Sequence, residues 1–379
     1  MNETSDPKRP RGRSTLIALV GWGCFALVAA ISCEVGARLD DWFFDDIPML
    51  DNPTYESLFV VDDGGLKFGR PGARWKKVVM NNLGMRGADV GAGRTPGCAR
   101  WMFLGASETF GDPAIAAAEF PARVRAFAPV GRCIETLNTA YAGLPPRALL
   151  HYYEAGMAHY APEVVFIYPS THFYLASEVS ARRPEDMQSR KPKPRPPATG
   201  IVAWLERLRF YERLRDSAEI PVPIQKRRLT REIDSATIGK PANWSFSTVP
   251  AERLDFMADD MAELVRLIRA SGAEPVLITH AVRVANPPRE EDRGDLFSMR
   301  VYVPRASEEV IAAFEYAAAE RTRQLARTLN VRLIDVAGLL NGRRDRFVDL
   351  VHFSPAGHDD VAHLILDTMD ASAGSHAVH

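Results

Sequence analysis

Ser107 stands in Gly105-Ala106-Ser107-Glu108-Thr109-Phe110-Gly111, directly after the apolar run Trp101-Met102-Phe103-Leu104. An apolar run feeding a small-residue turn reads as a strand that ends in a loop, and strand ends are where open α/β sheets collect their ligands. In most such turns a serine only caps the next helix, but it can act as a nucleophile if a base reaches its hydroxyl. A candidate base lies near the C-terminus, in Asp349-Leu350-Val351-His352-Phe353-Ser354-Pro355-Ala356-Gly357-His358. Asp and His three residues apart can meet within one turn, where the carboxylate fixes the imidazole tautomer and stabilises the imidazolium formed as a serine attacks. Ser107, His352 and Asp349 are thus the candidate nucleophile, base and orienting acid of an acyl transfer. Behind them Ser354-Pro355 is a good helix start.

In order and spacing, these two blocks resemble those of the SGNH/GDSL hydrolase family, of the membrane-anchored, polysaccharide-linked type. The resemblance extends to Asn138-Thr139-Ala140-Tyr141-Ala142-Gly143, where Gly143 matches the glycine whose N–H enters the oxyanion hole, and covers about residues 98–176 and 273–368. The stretch Asn81-Asn82-Leu83-Gly84-Met85-Arg86-Gly87 is similar to the lead-in of anchored members. The resemblance implies a three-layer α/β sandwich with a central parallel sheet, flavodoxin-like, and a catalytic triad of Ser107, Asp349 and His352. It also implies an oxyanion hole built from the N–H groups of Ser107 and Gly143. Two positions depart from the family pattern. Ala106 replaces the aspartate before the serine. In Pro162-Glu163-Val164-Val165-Phe166-Ile167-Tyr168-Pro169-Ser170-Thr171-His172, His172 replaces the third donor, an asparagine. An imidazole N–H of His172 or the hydroxyl of Thr171 can donate instead, because an oxyanion needs a directed donor and not one residue type.

The elements that must hold these residues are legible as short apolar runs at 101–104, 134–137, 164–168, 275–279 and 332–335, separated by segments with helical periodicity. That alternation predicts a parallel sheet covered by helices. The stretch from Arg182 to Pro197 contains RKPKPRPP, whose prolines exclude a regular helix, and Ile201–Asp216 carries apolar residues at helical spacing. Residues 177–250 therefore read as an insertion over the sheet.

From Ser14 to Cys33 the chain is uncharged, about the 20 residues that a membrane-spanning helix needs. Lys8, Arg9, Arg11 and Arg13 precede it, which puts the N-terminus in the cytoplasm and the body outside. A cleaved signal peptide, or a lipoprotein signal ending at Cys33, are the competing readings. The expected organisation is a cytoplasmic tail at 1–13, an anchor at 14–37 and a stalk with lead-in at 38–99. The hydrolase domain follows at 100–370, with a tail at 371–379. Cys98 and Cys133 each precede a strand-like run, so in an oxidising compartment they could form a disulfide.

Composition narrows the partners. The 379 residues are 46% hydrophobic and 25% charged, with a net charge of -1, so no global field draws the chain to nucleic acid. No phosphate-cradling glycine motif is present, and the nine histidines show no ligand spacing along the chain, so neither cofactor nor metal is expected. The leading function is an esterase acting on an acylated glycan or small ester. An O-acyltransferase on an extracytoplasmic polysaccharide would use the same triad, and a non-catalytic glycan-binding or scaffold protein is the reading from another class.

Overall fold

The computed structural model describes residues 11–61, 67–91, 93–111, 118–144, 146–176, 200, 204–217 and 222–376. The proline-rich run from Arg182 to Pro197 and the basic residues Lys8 and Arg9 lie outside them. The chain divides into two compact units, one of residues 1–53 with 192–220 and one of residues 54–191 with 221–379.

The larger unit is built on the five apolar runs. Strands β5 (Ala99–Gly105), β6 (Ile134–Asn138), β7 (Val164–Tyr168), β8 (Glu274–Ile278) and β9 (Arg332–Ile334) form one sheet in the order β6-β5-β7-β8-β9. Every pairing in it is parallel. Parallel strands need crossover helices, and these cover both faces, which is why the middle strand β7 is buried at every position. Alternate side chains sort into two cores. Met102, Leu104, Val165, Ile167 and Leu277 face the helices Pro146–Glu154, Ala251–Ala270 and Glu308–Leu329. Trp101, Phe103, Phe166, Val276 and Ile278 face Phe120–Phe127 and Pro355–His376. The parallel sheet covered by helices that the run pattern predicts, in the three layers that the resemblance implies, is thus the observed architecture. The chain leaves β5 for β6 on one side and returns to β7 on the other, which makes the C-terminal ends of β5 and β7 the switch point where such sheets bind ligands.

Two small hairpins precede the sheet: β1 (Phe59–Val61) with β2 (Lys67–Gly69), and β3 (Arg74–Trp75) with β4 (Val78–Val79). The turn that follows is organised by Asn81, whose Oδ1 accepts the N–H groups of Leu83 and Met85, each at 2.9 Å. Gly84 there has φ 75°, and a Cβ would lie 2.0 Å from the Gly69 carbonyl, so this close approach requires glycine.

In the smaller unit, helix α1 runs from Arg11 to Asp45, and its segment Ile17–Asp45 is long and apolar enough to cross a membrane by length and composition. Glu34 on this helix accepts the backbone N–H groups of Arg209 (3.1 Å) and Phe210 (2.9 Å). A carboxylate that takes the first orphan donors of a helix caps it, so a helix runs over Arg209–Ser217, while Ile201, where the periodicity starts its helix, lies outside the described residues. Arg209 is held in place by Asp41 at 2.6 Å, both side chains being almost buried.

Candidate active site

Ser107 is the first residue of a four-residue helix, Ser107–Phe110, that begins where β5 ends. It is partly exposed, whereas its neighbours from Trp101 to Phe110 are buried. The sharpness of the turn depends on Gly105, where a Cβ would stand 2.1 Å from the Thr109 hydroxyl and 3.0 Å from the Tyr168 carbonyl. The helix is tied down at its far end by Arg86, which donates to the Phe110 carbonyl at 2.8 Å and pairs with the buried Glu119 at 3.6 Å. The lead-in turn thus reaches the loop that carries the serine, a connection that no spacing in the sequence announces.

Asp349 and His352 come together within one turn. Asp349 Oδ2 meets His352 Nδ1 at 2.7 Å, while Oδ1 accepts the backbone N–H groups of Val351 (3.0 Å) and His352 (2.9 Å). Burial works to raise the Asp349 carboxyl, but the His352 hydrogen bond and charge, with those two N–H groups, outweigh it and hold it below the usual carboxylate range. The loop is pinned to the sheet by Phe353, whose ring packs against Phe120 and, at 6.0 Å, against Tyr168 at the end of β7. The Leu350 carbonyl also accepts the Arg283 N–H at 2.9 Å. His352 lies near enough for its charge to act on both Glu108 and His172.

Gly143 sits beyond β6 with φ 77°, a left-handed conformation that favours glycine, and a Cβ there would meet open space. The turn between them is fixed by the Asn138 side chain, which donates to the Thr109 carbonyl at 2.9 Å, and by Thr139 N–H on the Phe103 carbonyl at 3.1 Å. The Ser107 and Gly143 loops are therefore braced against each other through Asn138. Cys98 and Cys133 form a disulfide at the start of β5 and β6, at the other end of the strands from Ser107.

Behind Ser107 lies a buried polar cluster that the sequence analysis did not assemble. Glu108 Oε2 accepts the Ser170 hydroxyl at 2.6 Å and the Ser107 hydroxyl at 3.3 Å. Glu108 Oε1 meets His280 Nε2 at 3.2 Å, and His280 Nδ1 meets Glu315 Oε2 at 2.7 Å. Thr171 donates its hydroxyl to the same Glu315 oxygen. Glu108, His280 and Glu315 have no solvent exposure at all. Burial would lower the His280 pKa, but the Glu315 charge and the hydrogen bonds to both carboxylates outweigh it and push it up to about 10. Glu108 and Glu315 are correspondingly held below their ordinary range against the effect of burial. Three signals for this cluster stand in the sequence: a glutamate in the small-residue serine turn, a histidine just past the apolar run Val276-Leu277-Ile278, and Glu315 on the apolar stripe of its helix between Ile311 and Ala318.

The two alternatives for the third oxyanion donor differ here. Thr171 is committed to Glu315 and lies 3.1 Å from His280 Nδ1. His172 is buried, and its Nδ1 makes no hydrogen bond, lying 3.8 Å from Glu315 Oε1. Desolvation pushes its pKa down, although Glu315 and Glu108 oppose this, so the ring is neutral and keeps one N–H. The absence of metal-ligand spacing along the chain also did not anticipate the fold, which brings ligand atoms of Glu108, His172 and His280 within 4.8 Å of one another.

No protein-family model matches this sequence, and no curated protein matches it. Among solved structures, the chain is similar to a lipolytic protein of the G-D-S-L family from Desulfitobacterium hafniense, at 10% identity over 71% of this chain and 99% of that one, with a TM-score of 0.39. It is similar to an acetylxylan esterase from Geobacillus stearothermophilus, at 14% identity over 72% of this chain and 96% of that one, with a TM-score of 0.40. It is also similar to an alpha/beta hydrolase from the metagenome of Lake Arreo, at 14% identity over 71% of this chain and 94% of that one, with a TM-score of 0.41.

Proposed function

We propose that this chain is a serine hydrolase of the SGNH/GDSL type that removes O-acyl groups from a glycan outside the cytoplasm, through an acyl-enzyme on Ser107. The observation that carries this reading is the Asp349–His352 pair, fixed at 2.7 Å on a loop packed against the strand ends from which Ser107 emerges. With Nδ1 on Asp349, Nε2 is the nitrogen left to take the serine proton, and the Asp349 carboxylate stabilises the imidazolium that results. Ser107 Oγ attacks the ester carbonyl, and the oxygen that becomes negative is met by the N–H groups of Ser107 and Gly143. The third donor falls to His172, because the Thr171 hydroxyl is already given to Glu315. Collapse of the adduct expels the alcohol, which takes its proton from His352, and water then frees the acyl group by the same steps in reverse.

The glycan assignment draws on the anchor. A basic cluster before an uncharged span directs the body away from the cytoplasm, the side on which envelope glycans are met. The test is turnover of a chromogenic acetyl ester by the full chain in detergent, with and without an added oligosaccharide acceptor. Ser107→Ala is expected to abolish release of the chromophore while leaving the melting temperature unchanged. Undiminished release by folded Ser107→Ala would remove the nucleophile assignment, and acyl transfer to the oligosaccharide in preference to water would make the protein a transferase.

A further inference from the structure

We propose that Glu108, His172 and His280 form a binding site for a divalent cation of the zinc type behind the nucleophile, with Glu315 orienting both imidazoles. The proposal rests on these side chains alone and does not require that Ser107 turn over an ester.

Four observations lead to it. First, the three residues each offer a ligand atom within 4.8 Å of the other two, and the side chains are buried. Two ligands about 2.0–2.1 Å from one zinc at a tetrahedral angle stand about 3.3 Å apart. Glu108 Oε1 and His280 Nε2 are 3.2 Å apart, so that pair already has the spacing of two ligands on one ion, which would replace the proton between them. Second, both imidazoles turn Nδ1 toward the same carboxylate, His280 at 2.7 Å from Glu315 Oε2 and His172 at 3.8 Å from Glu315 Oε1. The His280 Nε2 atom therefore points away from Glu315 and toward Glu108, and a carboxylate on Nδ1 is the arrangement that fixes tautomer and orientation in metal-binding histidines.

Third, His172 Nδ1 and Glu315 Oε1 are buried polar atoms that make no hydrogen bond. Atoms of this kind ordinarily find partners, and closing the site around an ion draws the His172 ring and Glu315 together. Fourth, Glu108 and Glu315 set two carboxylates with no solvent exposure against these imidazoles, and carboxylates buried in this way are found paired with cations or coordinating metals. Two nitrogens and one carboxylate oxygen are a donor set that zinc takes, with a further position open.

The site meets the proposed ester chemistry at His172. A nitrogen given to the ion could not also present a proton to an oxyanion, so in the loaded protein the N–H groups of Ser107 and Gly143 would be left to hold it, and the ion would supply positive charge behind the nucleophile. Glu108 links the two centres, since its other oxygen accepts the hydroxyls of Ser107 and Ser170.

The experiment uses the untagged full chain in detergent, stripped with a chelator, then equilibrated with Zn²⁺ alone or with Co²⁺ alone and desalted. Elemental analysis is expected to give about one zinc per chain, and the cobalt form to show the visible absorption of a four-coordinate site. Glu108→Gln and His172→Asn are expected to weaken Zn²⁺ binding at least about 100-fold, and Glu315→Gln, which touches no metal, about 10- to 100-fold. Asp349→Asn, which alters only the other carboxylate–imidazole pair, should bind zinc as the parent does. Less than about a tenth of an equivalent of zinc in the parent chain would overturn the proposal, and so would Zn²⁺ affinity unchanged in Glu108→Gln. If the variants do not fold, the parent stoichiometry and the cobalt spectrum decide, because neither needs a substitution. An inactive Ser107 with zinc bound would sink the esterase reading only, and an active Ser107 with no zinc would sink this one only.

Discussion

Asp349–His352 and Glu315–His280 are both carboxylate–imidazole pairs, and they differ in everything except their chemistry. Asp349 and His352 are three residues apart on a surface loop, with the Asp349 side chain about half exposed at 53% and the His352 side chain at 22%. Glu315 and His280 are brought together from a helix and a strand end 35 residues apart, and both are fully buried. A pair open to water can exchange its proton at low cost, which a general base must do in every cycle. A sealed pair cannot, because either change of charge leaves an uncompensated ion in a low dielectric. The first pair is thus suited to moving protons, and the second to holding a fixed charge or an ion behind the nucleophile.

Substitutions that cut each pair should separate these roles. Asp349→Asn leaves the loop intact but removes the acceptor that selects the His352 tautomer, so kcat is expected to fall by about 10⁴-fold with stability nearly unchanged. Turnover within tenfold of the parent would show that His352 is not held by Asp349 during catalysis. His280→Gln does the reverse. It strands Glu108 and Glu315 without their shared cation and should cost about 3–5 kcal/mol in denaturant unfolding. A loss below about 1 kcal/mol would mean that the cluster is not an ion-pair system.

His172 stands between the two pairs, and its replacement sharpens the comparison. His172→Ala is expected to lower kcat about 100- to 1,000-fold, or about 2.7–4 kcal/mol of transition-state stabilisation, with KM little changed. In the absence of added metal, His172→Asn should recover most of this by supplying a side-chain N–H donor. Equal kcat for the parent and His172→Ala would take His172 out of the oxyanion hole.

The smallest effect is expected from His358, an imidazole whose Nδ1 partner is a backbone N–H and not a carboxylate. Burial, with the charges of Arg86, Arg123 and His352 adding to it, pushes its pKa down to about 3, while its Nδ1 accepts the Phe120 N–H at 3.2 Å. A histidine whose pKa is depressed on folding binds its proton more readily in the unfolded chain. Stability should therefore be insensitive to His358 above pH 6.5 and fall as the pH drops from 6.5 toward 3, by about 1.4 kcal/mol per pH unit at most. Denaturation midpoints measured across that window should slope less steeply for His358→Gln. An identical slope would assign the acid sensitivity to other groups.

The sequence by itself determined the sheet and the elements of local chemistry. Central strands covered on both faces need largely apolar stretches, as at 101–104 and 164–168, so these could be read without knowing their partners, whereas the edge strands β6 and β9 carry shorter and more mixed ones. Asp349 and His352 were legible for a related reason: a contact that closes within one turn is written in the spacing. The same is true of Gly143, where a left-handed backbone confines the choice of residue. Tertiary structure alone decided what surrounds them. Glu108, His172, His280 and Glu315 come from four separate segments, and although His172 stands out by its place in the family pattern, nothing in their spacing says that the four meet. Arg86 is separated by 24 residues from the Phe110 carbonyl that it holds, and the disulfide that the placement of Cys98 and Cys133 allows is realised by the register that sets Ala99 opposite Ile134. Short-range contacts depend on chain geometry that every sequence shares, whereas long-range ones depend on strand order, and the pattern of apolar residues within a strand does not encode which strand lies beside it.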